Sequence, residues 1–261
     1  MEQQYIGSVR NRFSQREMFL PSFFLLLVLF SFVFVAYASA APEGPSSITV
    51  VSNQTKSPLS GQIVNTSGGY ITTLNITAVT QNTRWKAFIG WVSGRFTLND
   101  ASGSTIYDWS LSNAAITGEV YATRNASTIA WSRITCANTS VLQQENFYMN
   151  HTNPDDNITR TFTGDATHSS FSIGGVTIGA NACPTINTYI NNATQTADFE
   201  EIALYDGFNT SSGGNVVFST ILEQDHNGYN NQTYDFQMIV PENGFSGFSG
   251  STAYYLYVEL S

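Results

Sequence analysis

The pattern of apolar and polar positions changes sharply along this chain. A run from Met18 to Ala36 carries no charge, and Arg10, Arg12 and Arg16 precede it. Beyond it, apolar residues either alternate with polar ones or form short runs, as is typical of β-strands. Residues that favour turns, mainly Gly, Asn, Asp and Ser, separate these runs. The pattern predicts a hydrophobic N-terminal segment followed by a strand-rich body.

The C-terminal third shows the most regular alternation. Within Thr233–Val240 and within Thr252–Leu260, every second residue is apolar, which places four large apolar side chains on one face of each segment. Earlier segments are shorter but have strand-forming compositions. We therefore predict strands also at Ile48–Ser52, Tyr70–Thr80, Gly118–Ala122, Thr128–Ser132, Phe171–Ile178, Glu201–Tyr205 and Val216–Leu222.

A meander of three strands is predicted in the middle of the chain. Arg84–Val92 is apolar on both faces, as in a central strand, and Arg95–Leu98 and Thr105–Trp109 follow it across two Gly-containing turns. Only Val141–Tyr148 has the pattern of a helix. Together these segments predict an all-β fold, an antiparallel β-sandwich of about ten strands, Ig-like or jelly-roll-like, behind an N-terminal hydrophobic helix.

The N-terminal segment predicts export. Its basic flank, its apolar run and the small residues Ala38-Ser39-Ala40 are typical of a secretory signal peptide cleaved after Ala40. An apolar run of this length also fits an uncleaved signal-anchor. Both interpretations place the body outside the cell or on its surface. We divide the chain into a leader (1–40), a Pro/Ser/Gly-rich lead-in (41–62) and a β-sandwich domain (63–261).

Charge limits the classes of partner. Charged residues make up 11% of the chain, and the net charge is −9. From Ala41 onward there are 17 acidic and 7 basic residues, which gives the body a charge of −10. Nucleic acids and anionic lipid headgroups select basic surfaces. We therefore expect no nucleic-acid partner, and membrane contact only through the N-terminal segment.

The two cysteines, Cys136 and Cys183, have no neighbouring metal ligands at short spacing. In an exported chain they predict a disulfide that bounds an excursion over residues 136–183. Two buried free thiols are the alternative.

Asn-x-Ser/Thr sequons predict sites of N-glycosylation. Alternation in Tyr70–Thr80 places Asn75 opposite Leu74 and Ile76, on an outward face. No sequon begins between Ile76 and Arg124, which indicates either a contact surface or a buried region. The ten sequons head at Asn53, Asn65, Asn75, Asn125, Asn138, Asn150, Asn157, Asn192, Asn209 and Asn231.

Three short motifs carry a resemblance to a known group of proteins. They are Ile106-Tyr107-Asp108-Trp109, Ala182-Cys183-Pro184, and the segment from Thr233 to Glu242 that Ala253–Leu260 closes. The body resembles uncharacterised exported cell-surface proteins of archaea. The resemblance implies an archaeal cell-surface setting, and it implies no activity and no functional residues.

Two groups of titratable residues are candidates for catalysis. In Glu223-Gln224-Asp225-His226, Asp225 is placed to orient His226 as a general base, although Asn227-Gly228 also fits a solvated hairpin loop. Asp198, Glu200, Glu201 and Asp206 bracket one strand. Because Glu200 and Glu201 point to opposite faces of that strand, we interpret this group as a solvated edge rather than a glycosidase pair.

Two further candidates concern binding. Asp155 and Asp156, with nearby Asn side chains, are weak candidates for Ca²⁺ ligands. The four Trp are expected mainly in the core. Tyr255 and Tyr257 lie on the face of the last strand opposite Leu256, where they form a contact surface unless a second layer covers them.

No motif for a nucleophile elbow, a metalloprotease, a phosphate loop or a cofactor occurs. We expect no cofactor and no resident metal. The sequence favours a non-enzymatic, extracytoplasmic cell-surface glycoprotein with a structural, adhesive or assembly role. Its partners would be further copies of itself or glycans and proteins of the cell envelope. A secreted hydrolase acting on polysaccharide is the alternative.

Overall fold

A computed structural model describes residues 41–111, 116–194, 198–207 and 215–261. The predicted leader and Asn209 lie outside these ranges. Within them the chain forms antiparallel strands, as the sequence predicts, so the all-β fold class is confirmed. The strands are β1 (Trp85–Gly90), β2 (Arg95–Asn99), β3 (Thr105–Ser110), β4 (Gly118–Thr123), β5 (Thr135–Cys136), β6 (Phe171–Ile173), β7 (Val176–Ile178), β8 (Thr185–Asn187), β9 (Glu200–Tyr205), β10 (Val216–Ile221), β11 (His226–Asn227), β12 (Thr233–Tyr234), β13 (Phe236–Pro241) and β14 (Tyr255–Leu260).

The central sheet has the strand order β14-β4-β10-β9-β5, and β8 also pairs with β9. Its middle strands are buried on both faces. Side chains of neighbouring residues alternate between these faces, so Tyr121 and Ala122 of β4 belong to different clusters of the core. A sheet covered on both faces explains why apolar residues occupy consecutive positions in Val120–Ala122 of β4, Ile202–Tyr205 of β9 and Val216–Phe218 of β10.

One face of the central sheet packs against β1, β13 and two short helices. The helices are α1 (Thr139–Tyr148), at the predicted position, and α2 (Ile158–Thr161). Asn138 and Asn157 cap them, each accepting a hydrogen bond from the backbone N–H three residues later. The core on this face consists of Ala122, Ala137, Leu142, Met149, Ile158, Phe162, Ala203, Val216, Phe218, Met238 and Val240.

The opposite face is covered by the β6–β7 hairpin and a 3₁₀ turn at Trp131–Arg133. Gly174 and Gly175 both have positive φ, at 51° and 87°, which lets the predicted single strand Phe171–Ile178 fold into a tight hairpin. The core here includes Tyr121, Ile129, Ile134, Phe171, Ile173, Ile178, Cys183, Ile202, Leu204 and Val217.

In the part of the chain that the structure describes, the second layer of the sandwich has two paired strands. β1 pairs with β13 in antiparallel register, from Trp85 opposite Pro241 to Gly90 opposite Phe236. Side chains of the central sheet hydrogen-bond the backbone of β13. Thr220 Oγ1 donates to the Gln237 carbonyl at 3.1 Å, and the Ile239 N–H donates to Glu201 Oε2 at 2.8 Å.

Several local predictions are wrong. β1 pairs with β13 rather than with β2, so the predicted meander is reduced to the β2–β3 hairpin. Thr128–Ser132 is irregular chain that enters the 3₁₀ turn. Ile48–Ser52 and Tyr70–Thr80 belong to no strand ladder, and the first strand of the sandwich begins at Trp85.

Among the described residues, no helix combines the length and the apolar character needed to cross a membrane.

Candidate functional site

Residues 44–82 form an extended segment that we call the apolar arm. A turn at Ser67–Tyr70 divides it into two limbs, and the Lys56 ammonium reaches the Val79 carbonyl across them at 3.1 Å. No ladder of backbone hydrogen bonds joins the described limbs, and every residue of the arm is exposed. Large apolar side chains that are more than half exposed are Ile48, Val50, Val51, Leu59, Ile63, Val64, Tyr70, Ile71, Leu74, Ile76 and Val79.

This exposure is energetically unusual. Burying a Val, Leu or Ile side chain contributes about 1.5–3 kcal/mol relative to leaving it in water. Soluble monomers seldom expose contiguous apolar patches beyond a few hundred Å². A segment with eleven such side chains and one charged residue, Lys56, is therefore typical of a surface that another molecule covers.

The two ends of the arm are fixed to the sandwich. Glu43 forms a two-hydrogen-bond bridge with Val258 on the outer edge of β14. In this register Pro45 would lie opposite Leu256, and proline has no N–H to donate, so the pairing ends there. At the other end, Arg84 forms an ion pair with Asp156 at 3.0 Å and accepts a hydrogen bond from the Glu242 N–H.

The β2–β3 hairpin is the second exposed apolar element. Phe96 lies opposite Trp109 and Leu98 opposite Tyr107, so these four side chains share one face. The rings of Tyr107 and Trp109 are 4.9 Å apart. All four side chains are 40–60% exposed. An isolated two-stranded hairpin is at best marginally stable in water, so this hairpin also presents a surface suited to a partner.

The end of the second limb of the arm and the start of the hairpin lie at opposite ends of β1. Near the arm, Lys86 donates a hydrogen bond to the Thr252 carbonyl and lies 5.1 Å from the ring centre of Tyr254, at the start of β14. Near the hairpin, Gly94 packs so tightly against Leu260, at the end of β14, that a Cβ would lie 2.3 Å from its Cδ1. The two ends are separated by about 17 Å of strand.

The sequons lie mainly on exposed chain. Asn125, Asn150 and Asn157 are half-buried, and Asn125 Nδ2 donates to Asp206 Oδ2 at 3.1 Å. The stretch from Ile76 to Arg124, which has no sequon, contains both the exposed β2–β3 hairpin and the buried strand β4. The alternative of a buried region therefore holds for β4 and not for the hairpin. The exposed sequon residues are Asn53, Asn65, Asn75, Asn138, Asn192 and Asn231.

The tyrosines of β14 differ in their exposure. Tyr255 is 44% exposed. Tyr257 is half-buried, because the ring of Trp131 packs edge-on against it at 5.2 Å. The predicted contact surface is therefore reduced to Tyr255. Trp91 and Trp109 are at least half exposed, so the expectation that Trp lies mainly in the core fails for them.

In the Glu223–His226 cluster, the carboxylate close to His226 is that of Asp198 and not, as the sequence predicts, that of Asp225. His226 Nε2 lies 3.8 Å from Asp198 Oδ1, whereas Asp225 is exposed in a turn and its N–H donates to Asp235. Burial raises the pKa of Glu223, and the nearby carboxylates of Asp198 and Glu200 raise it further while His226 lowers it. A carboxyl group whose pKa is raised, close to an imidazole, is a candidate for proton transfer.

The strand carboxylates are not on a solvated edge. β9 lies inside the sheet, and Glu200, Glu201 and Asp206 are each at most 5% exposed. Glu200 accepts a hydrogen bond from the Ser169 N–H at 2.7 Å. Complete burial raises the pKa of Glu201 well above its usual value, although the hydrogen bond from the Ile239 N–H lowers it.

The predicted calcium ligands Asp155 and Asp156 have different surroundings. Asp155 is exposed, whereas Asp156 Oδ2 accepts from Arg84 and Asn82 at 3.0 and 2.8 Å. Asp156 lines a cleft of about 650 Å³ between the base of the arm and the 243–250 loop, where Phe245 and Phe248 are exposed. No group of three or more acidic, His or Cys side chains in the described ranges is arranged to hold a metal ion.

The disulfide between Cys136 and Cys183 is present, with an S–S distance of 2.01 Å. It joins β5 to the segment before β8, so the excursion it bounds includes both helices and the β6–β7 hairpin. A second link in this region is the pair formed by Arg124 and the buried Glu145 of α1, at 2.6 and 2.9 Å.

A buried acidic cluster connects β4 to β14, and sequence reasoning missed it. Glu119 lies opposite Glu259, and the Tyr121 hydroxyl lies 3.3 Å from each carboxylate. Burial, and then the charge of Glu259, raise the pKa of Glu119 to about 8. The strand register alone creates this proximity, since the two residues are far apart in the sequence.

No protein-family model, curated protein or solved structure matches this chain.

Proposed function

We propose that this protein is a non-enzymatic, extracytoplasmic cell-surface glycoprotein with a structural role, and that it acts by assembling with other molecules. The observation that carries the proposal is the apolar arm, whose large apolar side chains are exposed beside a fully packed sandwich. Adhesion is the variant of this role in which a protein or glycan of the cell envelope, and not a further copy of the chain, covers the apolar arm. The basic, apolar leader and the archaeal resemblance support the cell-surface setting.

Two features of the body support the proposed location outside the cytoplasm. A disulfide is stable in an oxidising environment, and exposed sequons fit glycosylation of an exported chain. Two surfaces at opposite ends of β1 and an acidic body of charge −10 fit assembly through specific contacts, since like-charged bodies repel one another elsewhere.

The proposal is tested on the native protein purified from membranes and from culture medium. Intact mass measures leader cleavage and glycans, while light scattering and electron microscopy measure assembly. We expect glycosylated, membrane-associated or high-mass assemblies. A monodisperse, unglycosylated monomer found only in the medium would contradict the proposal.

A secreted hydrolase acting on polysaccharide is the second candidate, and the grouping of Glu223, Asp198 and His226 favours it. It requires that purified protein release reducing ends from a soluble polysaccharide. In that case Glu223→Gln would lower the rate about 100-fold or more, because it removes the proton donor. Equal release by native protein and by Glu223→Gln would exclude this cluster as the catalytic group.

A further inference from the structure

We propose that the second limb of the apolar arm, Tyr70–Thr80, adds as a β-strand to the β2–β3 hairpin of another copy of the same chain. This inference rests on the proposed assembly role and specifies its partner. It starts from the presence, in one chain, of an unpaired strand-like segment and an uncovered hairpin, both apolar and both exposed. β-Strand addition joins two such elements by backbone hydrogen bonds and by packing of alternate side chains.

The middle of the limb, residues 74–78, has the pattern of a strand with one apolar face. Leu74, Ile76 and Ala78 share one side of an extended chain, and Asn75 and Thr77 lie on the other. The backbone of the limb has no ladder partner among the described residues. A glycan on Asn75 would therefore point away from a partner packed against Leu74 and Ile76.

The hairpin offers a matching face, and among the described residues β2 and β3 pair only with each other. Its four-residue apolar face carries three aromatic rings, and each such ring buries about 150–250 Å² when fully covered. Covering that face with the limb removes on the order of 1,000 Å² from water, which is the lower bound of a specific interface. Arg95 pairs with Asp108, Asp100 lies in the turn of the hairpin away from its apolar face, and the limb carries no charge, so no charge repulsion opposes the contact. No sequon interrupts the hairpin.

The partner is a second copy because the end of the limb and the start of the hairpin lie at opposite ends of β1. In the described residues, no hydrogen bond or ring contact joins the arm to the hairpin of the same copy. Pairing one end of a copy with the opposite end of the next is a heterologous contact, which repeats as an open filament unless the rotation closes a ring.

The test compares four variants of the full exported chain with the native chain. Leu74→Asp places a charge on the inner face of the limb, and Thr73→Asp, its matched control, places the same charge on the outer face. Leu98→Asp places a charge on the apolar face of the hairpin. Ile106→Asp is its control, because Ile106 lies off that face on β3. Light scattering and electron microscopy measure assembled mass, and thermal unfolding confirms that each variant folds.

We expect Leu74→Asp and Leu98→Asp to weaken assembly about 100-fold, because each buries an unpaired charge in an apolar contact. The two controls assemble like the native chain. A mixture of Leu74→Asp and Leu98→Asp forms a one-to-one dimer, since one copy keeps an intact hairpin and the other an intact limb.

The outcomes separate this inference from the proposed function. If the native chain assembles and Leu74→Asp assembles equally well, the strand addition is wrong and the structural role stands. The same conclusion follows if the two defective variants fail to pair in the mixture although both fold. If the native chain itself stays monomeric, the proposed assembly role fails.

Discussion

Ile202 and Ile71 have the same side chain and opposite surroundings. Ile202, on β9, is fully buried, whereas Ile71, in the apolar arm, is 99% exposed. The difference shows that the sandwich buries its own apolar side chains, whereas those of the arm stay exposed to water. Apolar composition alone therefore does not place a segment in the core of its own chain. The order of the strands and the edges they leave open decide which apolar segments are covered.

The disulfide is expected to give the largest difference between the two regions. Replacing both Cys136 and Cys183 by Ala removes a link that closes 47 residues of separation. Loop entropy predicts a loss of about 4 kcal/mol in the free energy of unfolding. Denaturant unfolding measures this loss. Limited proteolysis measures the exposure of the arm, which we expect to be unchanged. An unchanged unfolding midpoint would show that the bounded excursion is held by its packing alone.

Matched truncations test the contrast directly. Ile202→Ala leaves a cavity between β9 and the β6–β7 layer and is expected to cost about 3 kcal/mol. Ile71→Ala removes the same atoms from water-exposed chain and is expected to cost less than about 0.5 kcal/mol. Thermal unfolding of dilute monomer compares the two. Similar losses in both variants would mean that the arm packs on its own sandwich in solution.

A pH-dependent effect separates the body further. The folded pKa of Glu119, about 8, lies above its ordinary value of 4.5. Its contribution to stability is complete below pH 4.5 and is lost as pH rises through 8. Glu119→Gln is therefore expected to raise stability at pH 9 by on the order of 2 kcal/mol, about 4–8 °C in Tm, and to leave it unchanged at pH 4. Equal melting of both proteins at pH 9 would contradict the raised pKa of Glu119.

The smallest effect is expected on the hairpin. Arg95 and Asp108 are 2.7 Å apart, and both side chains are well exposed. Solvent screens such pairs, so Arg95→Gln is expected to change the free energy of unfolding by less than about 0.5 kcal/mol. A loss of 2 kcal/mol, measured by thermal unfolding, would show that the hairpin is part of the cooperative core.

Local patterns predicted the elements better than the pairings. β4, β9, β10, β13 and helix α1 lie where alternation and composition place them. The meander failed because β1 pairs with β13, which follows it by more than a hundred residues. Tyr70–Thr80 was predicted as a strand, and its backbone is extended without a ladder. Alternation defines the face that a strand would bury, but it carries no information about which edge is free to receive it.

The candidate site divides in the same way. Cys136 and Cys183 were predicted from export and count, and they pair. The approach of Asp198 to His226 and the buried pair of Glu119 and Glu259 depend on strand order and register, which bring distant residues together. From the sequence we interpret Glu200 and Glu201 as part of a solvated edge, because their side chains point to opposite faces of one strand and cannot act as a pair. Their position on a central strand reverses that interpretation.

By itself the sequence determined the strand-rich class, because this depends on composition and on the period of two along a strand, and it predicted the disulfide from the two cysteines of an exported chain. Only the tertiary structure decided that the arm and the hairpin remain uncovered. That outcome depends on where each sheet ends, on Pro45 ending the pairing with β14, and on the side chains that satisfy β13. Such long-range pairing is a property of the whole fold, and no local window of sequence contains it.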